Sequence, residues 1–333
     1  MPKFSIILPV RNGGEYLKVC VDSILSQRYS DLELLVLDNC SSDGSGEWLR
    51  SINDDRIKIY PADMPLSIEE NWQRALTIPK AEFITLIGHD DWLAPDYLEV
   101  MNQLIIEHPS ASLYQAHFTY IDAKGNSIRS CRPMPPKVSA GEFLQLFLEN
   151  RINVMGTGFM MRSADYDRLG GIPAYPNLLF ADFEIWISLT RLSYLAIVSN
   201  SCFSFRLHNS MTTTSADLNF FRAYERFIAF LVSLKALGEP YQGILKNSGP
   251  GFLTFYCKGL SHRLLRSPDS ARKGLTVREI IRKTRKFGGS LGIEDLQPES
   301  VFSIRLAKWI DSSRITKWLF LKFKKTYKKP ILK

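Results

Sequence analysis

The sequence predicts an α/β fold: a mixed, mostly parallel sheet of Rossmann-like outline, flanked by helices and followed by a helical C-terminal extension. Three observations carry this expectation. Short apolar runs alternate with amphipathic stretches over the first 110 residues, polar and acidic residues follow the ends of those runs, and beyond about residue 216 helical spacing replaces strand signals.

Residues 4–8 read as a strand buried on both faces, and residues 9–14 are dense in turn formers. Leu17, Val21, Ile24 and Leu25 recur at i, i+4, i+7 and i+8, which predicts a helix over 15–27. A second strand over 32–37 ends at Asp38, and a polar loop leads to a short helix at 47–51. Strand 57–60, helix 67–76 and strand 82–87 continue the alternation, which demands parallel pairing with helical crossovers. Residues 113–121 read as a strand, Lys124-Gly125-Asn126 as a turn, 132–137 as a proline-rich connector and 143–148 as a helix. Further strands are expected at 154–161, 195–198 and 202–206, and helices over 221–237 and 252–265.

A chain of 333 residues with 45% hydrophobic and 23% charged residues excludes disorder, collagen and a small disulfide scaffold. Its five cysteines are scattered and never form a CxxC pair, which argues against a disulfide framework or structural zinc and fits a reducing cytoplasm. No signal-type segment and no run of the ~20 apolar residues needed to cross a bilayer is seen. The net charge of +8 is unevenly spread: residues 1–257 carry 22 Lys+Arg against 28 Asp+Glu, and residues 258–333 carry 20 against 6. Neither a GxGxxG fingerprint nor a GxxxxGK[ST] loop occurs, so nicotinamide and P-loop chemistry lose their usual phosphate cradle. A calcium loop starting at Asp38 fails because its twelfth position is Leu49.

Open α/β sheets bind ligands beyond the carboxyl ends of their strands. Three such ends stand out: Pro9-Val10-Arg11-Asn12, the run from Asp38 to Ser45, and Gly88-His89-Asp90-Asp91-Trp92. Adjacent carboxylates repel, so Asp90 and Asp91 at a strand end call for a compensating cation. Mg²⁺ or Mn²⁺, which takes one or two protein carboxylates together with substrate phosphates, suits the pair. The competing reading is a solvated pair capping the helix that begins near Pro95.

Four ordered blocks, residues 5–12, 23–27, 34–45 and 89–98, resemble family 2 glycosyltransferases of the GT-A fold, with weaker similarity continuing to about residue 215. The resemblance implies a GT-A catalytic domain over 1–215, with a nucleotide-sugar half at about 1–110 and an acceptor half at about 111–215, and a helical basic region over 216–333. It implies that Pro9, Arg11, Asp38, Asp90, Arg206 and His208 bind the nucleotide sugar, that Asp91 and His208 hold the metal, and that Asp182 is the catalytic base. Gly88 stands where many relatives have the first Asp of the motif, Asn39 replaces a frequent second Asp, and Ala181 replaces the Glu of a Glu-Asp pair. Glu184 therefore competes with Asp182 for the role of base. Trp92 and Trp186 are candidates for stacking on sugar faces.

The implied activity is metal-dependent, inverting transfer of a sugar from a nucleoside diphosphate sugar to a saccharide or lipid-linked acceptor, in cell-surface polysaccharide synthesis. A sugar-phosphate nucleotidyltransferase is the alternative, and a non-enzymatic nucleic-acid binder the second, although the acidic body argues against nucleic acid. Near the C-terminus, Trp309, Trp318, Leu319, Phe320 and Phe323 are interleaved with lysines, the make-up of a segment lying in an anionic membrane interface. The expected location is cytoplasmic, with peripheral contact to the inner face of the membrane; the other reading packs the apolar face on the body.

Overall fold

The computed structural model describes residues 2–207, 218–267 and 272–326, so His208 lies outside the described residues. The chain divides into two compact units, Met1–Ser210 and Met211–Lys333.

The first unit is built on β1 (Phe4–Val10), β2 (Leu32–Asp38), β3 (Ile57–Pro61) and β4 (Phe83–Leu86), which lie side by side in the order β3-β2-β1-β4, all parallel. Every residue of β1 and β2 is buried, as runs covered by helices on both faces must be. Their connections are α1 (Gly14–Leu25), α2 (Ser45–Ser51) and α3 (Ile68–Gln73), the last opened by a capping box between Ser67 and Glu70. Pro9 fits a strand interior here because β4 pairs only with residues 4–7 of β1, so its missing N–H falls past the end of that ladder.

The remaining strands make the sheet mixed. β5 (Trp92–Leu93), β6 (Leu113–Ile121), β9 (Phe159–Arg162) and β10 (Leu195–Arg206) extend it in the order β4-β9-β6-β10-β5, with β7 (Ser127–Ser130) paired to β6 and β8 (Lys137–Val138) to β10. β9 runs antiparallel to both neighbours, whereas β6 and β10 are parallel. Helices α4 (Tyr97–Glu107), α5 (Ala140–Leu148), α6 (Ser163–Arg168) and α7 (Ala181–Thr190) complete the unit.

Two element assignments from sequence are corrected. The strand expected at 154–161 begins only at Phe159, because Gly158 adopts a left-handed backbone (φ +79°) and a side chain there would strike the ring of Phe203 at 2.7 Å. The two strands expected at 195–206 are one, β10, with register shifts near Val198 and Ser201 that absorb the polar Ser199-Asn200-Ser201.

The second unit is helical: α8 (Leu218–Lys235), α9 (Tyr241–Arg266), α10 (Val277–Leu291), α11 (Phe302–Asp311) and α12 (Arg314–Thr326). α9 packs on α8, α10 and α11 through an aromatic cluster that includes Tyr224, Phe252 and Tyr256. A buried ion pair between Arg272 and Asp311 (2.5 Å) closes it, the other Asp311 oxygen accepting the Val277 N–H at the start of α10.

In the first unit, Gln27 joins α1 to the segment leading into α4. Its Nε2 donates to the carbonyls of Ser23 (3.0 Å) and Ala94 (2.7 Å), and its Oε1 accepts the Leu98 N–H (3.0 Å). Gln27→Met keeps the volume but strands the buried Leu98 N–H and leaves the Ala94 carbonyl with the Tyr97 N–H alone. The expected loss is about 1–3 kcal/mol, read as a lower urea midpoint with an unchanged m-value.

Candidate active site

The carboxyl ends of β1 and β2 are laced together by short polar side chains. Asn12, left-handed at φ 53°, donates its N–H to Ser41 Oγ (2.9 Å) and accepts the Ser42 N–H on Oδ1 (2.8 Å). The N–H groups of Gly13 and Gly14 donate to Ser45 Oγ (3.1 Å) and Asp43 Oδ2 (3.0 Å). Asn39 clamps the backbone of Leu66 from both sides, at 2.7 and 2.9 Å. Around this lacing, Pro9 is buried in β1, Arg11 is exposed with Nη1 3.5 Å from the Leu66 carbonyl, and Asp38 is buried with Oδ1 accepting the Ser41 N–H (3.2 Å). Arg74, which the sequence reading passed over, caps the same edge by donating to the carbonyls of Asp38, Tyr60 and Pro61.

Beyond β4 the chain turns at Gly88, where the Asp91 N–H donates to the Gly88 carbonyl (3.1 Å). A side chain on Gly88 would come within 2.7 Å of Asp90 Oδ1 and 3.4 Å of Asp91 Oδ2, so glycine is what lets the two carboxylates converge. Asp91 is only 2% exposed. Its Oδ2 accepts the Thr157 hydroxyl (2.7 Å) and its Oδ1 the Arg206 N–H (2.9 Å). Burial, followed by repulsion from Asp90, drives the Asp91 carboxyl well above the usual carboxylate range, against the opposing pull of those two hydrogen bonds. Asp90 is the more exposed of the two.

Arg206 ends β10 directly beneath this turn. Its Nε donates to the Asp90 carbonyl (2.8 Å), its Nη1 to the carbonyls of Asp122 (2.9 Å) and Ala123 (3.0 Å) in the β6–β7 turn, and its guanidinium lies over the rings of Tyr16 and Trp92. Its Nε and Nη1 are committed to backbone carbonyls, and the residue is only 4% exposed. Trp92 is further covered by Gly125, where a Cβ would sit 2.8 Å from its ring.

Asp182 opens α7, and its approach is strained: Asn177, Leu178 and Phe180 all have left-handed backbones, at φ 55°, 54° and 69°. The Asn177 N–H is held by Glu69 Oε1 at 2.6 Å. Although the residue keeps some exposed surface, desolvation pushes the Asp182 carboxyl up to about 6. Its side chain packs against Gly156, where a Cβ would meet Oδ2 at 3.7 Å, and the next residue is the Thr157 that holds Asp91. Glu184, the competing carboxylate, accepts a short hydrogen bond from the Tyr175 hydroxyl. Trp186 is fully buried, stacked on Phe159 and donating Nε1 to the Met155 carbonyl (2.9 Å), so the sugar-stacking role suggested for it is corrected: it is a core residue.

The fold thus brings Asp90, Asp91, Arg206 and, through Gly156-Thr157, Asp182 into one region, while Pro9, Arg11 and Asp38 stand at the neighbouring ends of β1 and β2. Sequence reasoning missed Thr157, Tyr16 and Tyr175; for Thr157 the flanking glycines were the available signal. Among the described residues no three His, Cys, Asp or Glu side chains gather as a metal group. The two converging carboxylates nevertheless fit a hard divalent cation that completes its shell with phosphate and water.

Residues 5–170, about half of the chain, match the profile of glycosyl transferase family 2. The glycosyltransferases GlyA and GlyG of Streptococcus pneumoniae are each 27% identical over 124 residues, 37% of this chain but only 18% and 41% of their own lengths. An uncharacterized glycosyltransferase of Rickettsia typhi is 24% identical over 304 residues, covering 86% of this chain and 92% of the relative. Among solved structures, S. aureus TarS 1–349 is similar with a TM-score of 0.67 at 14% identity, covering 96% of this chain and 92% of that one, and it has also been solved with UDP-GlcNAc. The mannosyltransferase PcManGT from Pyrobaculum calidifontis, solved with GDP-Man and Mn²⁺, is similar with a TM-score of 0.54 at 13% identity, covering 97% and 88%. These structural likenesses establish a GT-A-like fold, and with the profile match running from β1 through β9 and including the acidic turn, this chain belongs to glycosyltransferase family 2.

Proposed function

We propose that this glycosyltransferase is metal-dependent and inverting, and moves a sugar from a nucleoside diphosphate sugar to a hydroxyl of a saccharide or lipid-linked acceptor in cell-surface polysaccharide synthesis. The observation that supports it best is the Gly156–Gly158 segment, which ties the buried carboxylate of Asp91 to the desolvated carboxylate of Asp182. UDP-GlcNAc in TarS, and GDP-Man with Mn²⁺ in PcManGT, favour a nucleotide sugar and a divalent cation here as well.

Asp182 is assigned as the base. A carboxylate with a pKa of about 6 is ionised at neutral pH yet more basic than an ordinary Asp, which suits removal of a proton from an attacking hydroxyl. Glu184 is less suited because its carboxylate is occupied by Tyr175. One base and one displacement invert the anomeric centre. Asp90 and Asp91 would hold Mg²⁺ or Mn²⁺, with Asp90 presenting the more exposed carboxylate and Asp91 anchoring it from below; such a cation, when bound, offsets the charge of the departing diphosphate. Pro9, Arg11 and Asp38 are assigned to the nucleotide. Arg206 adds a fixed positive charge under the acidic turn, and His208 is proposed as the further diphosphate or metal contact. No described helix is long and apolar enough to cross a membrane. Cytoplasmic placement, with the basic C-terminal region meeting the inner face of a membrane, belongs to the same proposal.

Donor and metal are tested together by incubating the protein with nucleotide sugars and Mn²⁺ or Mg²⁺; release of a single nucleoside diphosphate is expected, and release of none counts against the activity. In isothermal titration, Asp91→Ala should abolish Mn²⁺-dependent binding of UDP or GDP, and undiminished binding would remove the assigned site. Asp182→Asn should lower kcat by about 10²–10⁴-fold while leaving nucleotide affinity intact. In the wild type, log kcat/KM should rise with unit slope up to about pH 6 and then level off; a profile flat through that region points to another base.

The same carboxyl carries a stability cost of definite sign. Its native pKa of about 6 lies above the unfolded value of 3.8, so the native state binds the proton more tightly, and the stability that proton confers is lost as pH rises from 3.8 through 6. At neutral pH the penalty is roughly 2–3 kcal/mol after allowance for partial exposure. Asp182→Asn should therefore raise the thermal midpoint by a few degrees at pH 8, and have little effect near pH 3.8, in calorimetry.

A further inference from the structure

Among the described residues, sixteen large apolar side chains are exposed, and seven of them fall between residues 302 and 323. Phe302, Leu306 and Trp309, at i, i+4 and i+7, make a stripe on α11 opposite its buried Ile304, Ala307 and Ile310. Ile315, Trp318, Leu319 and Phe323 make a second stripe on α12, 52–71% exposed, while Lys317 on the opposite side of the helix is only 9% exposed. An amphipathic helix of a water-soluble domain turns its apolar face inward; α12 half-buries Phe320 and Leu321 beside Lys317 but leaves a larger apolar stripe outward. Four of the five exposed Phe and Trp side chains belong to these two helices.

Charge selects the occupant. Residues 302–326 contain seven Lys or Arg against one acid, Asp311, and Asp311 is already paired with Arg272. Arg305, Arg314 and Lys322 are exposed beside the apolar stripes, and the Lys322 ammonium lies 5.0 Å from the Trp318 ring centre. Aromatic and aliphatic side chains flanked by cations match the boundary between acyl chains and anionic headgroups, where the rings enter the interface and the cations meet phosphate.

We infer that α11 and α12 form a docking face that lies in the plane of an anionic lipid bilayer, with Trp309, Trp318 and Phe323 inserted at the level of the headgroups. This rests on the reading of the C-terminal region as membrane-facing and is independent of the carboxylate assignments in the catalytic unit. It names the face, the depth and the lipid charge.

The test is flotation of the full chain with phosphatidylcholine vesicles prepared with and without phosphatidylglycerol, with tryptophan fluorescence recorded in parallel. Binding to the anionic vesicles only, accompanied by a blue shift, is expected. Trp318→Ser with Phe323→Ser, and separately Arg305→Glu with Lys322→Glu, should each lower the partition coefficient by about tenfold or more. All four positions are solvent-exposed, and unchanged circular dichroism will show that the fold persists. Asp91→Ala should bind vesicles like the wild type. Binding that survives both double variants overturns the α11–α12 face while leaving membrane association intact, and absence of binding to any vesicle overturns both. A dimer in light scattering that dissociates on Trp318→Ser with Phe323→Ser would also overturn the inference, by assigning the face to a second copy of this chain.

Discussion

The arrangement of the first unit turns on one buried carboxylate. Asp91 is held by a threonine hydroxyl from the segment before β9 and by a backbone N–H at the end of β10, so its two oxygens join the end of β4 to two strands that are distant in sequence. Burying an ion is costly unless it is paired or hydrogen-bonded, and this one also faces the repulsion of Asp90. The positive charge of Arg206 beneath the turn and the two hydrogen bonds offset part of that cost. What remains is a site predisposed to gain from positive charge, and this property links the sheet topology to the proposed chemistry.

Much of the fold was legible because local signals and tertiary demands agree in the first 110 residues. Strands β1 and β2 are continuous apolar runs because helices cover both sheet faces, and α1 shows its buried stripe at Leu17, Val21 and Ile24. Legibility fell where long-range contacts decide conformation. Nothing local to residues 154–158 reveals that Gly158 must leave room for the Phe203 ring, and the polar Ser199-Asn200-Ser201 looks like a loop until β6 pairs across it. Helix α5 opens at Ala140, three residues ahead of the expected 143–148, because Ser139 and Glu142 form a capping box there.

For the candidate site, the acidic residues at strand ends could be read because topology alone puts those ends on one rim. Their partners could not. Thr157 is 66 residues from Asp91 and Arg206 is 115, separations at which no spacing rule operates. Trp186 shows the opposite failure: an aromatic beside proposed functional carboxylates drew a functional reading, yet its indole N–H is satisfied by Met155 and its ring lies in the core. Glu184 competes with Asp182 in the sequence, and long-range contacts separate them: the Tyr175 hydroxyl occupies Glu184, whereas Asp182 is desolvated against Gly156.

Arg206 also bears on how the protein is made. Its side chain is surrounded by α1, the Asp90–Trp92 turn, the β6–β7 turn and its own strand, so its contacts can form only when pieces spread over most of the first unit have come together. Closing such distant loops is entropically the slow part of folding. During synthesis the acidic doublet leaves the ribosome 115 residues ahead of the arginine that steadies it. A partly finished chain therefore carries the acids without their counterweight, and the acidic rim matures late, together with the last strand of its sheet.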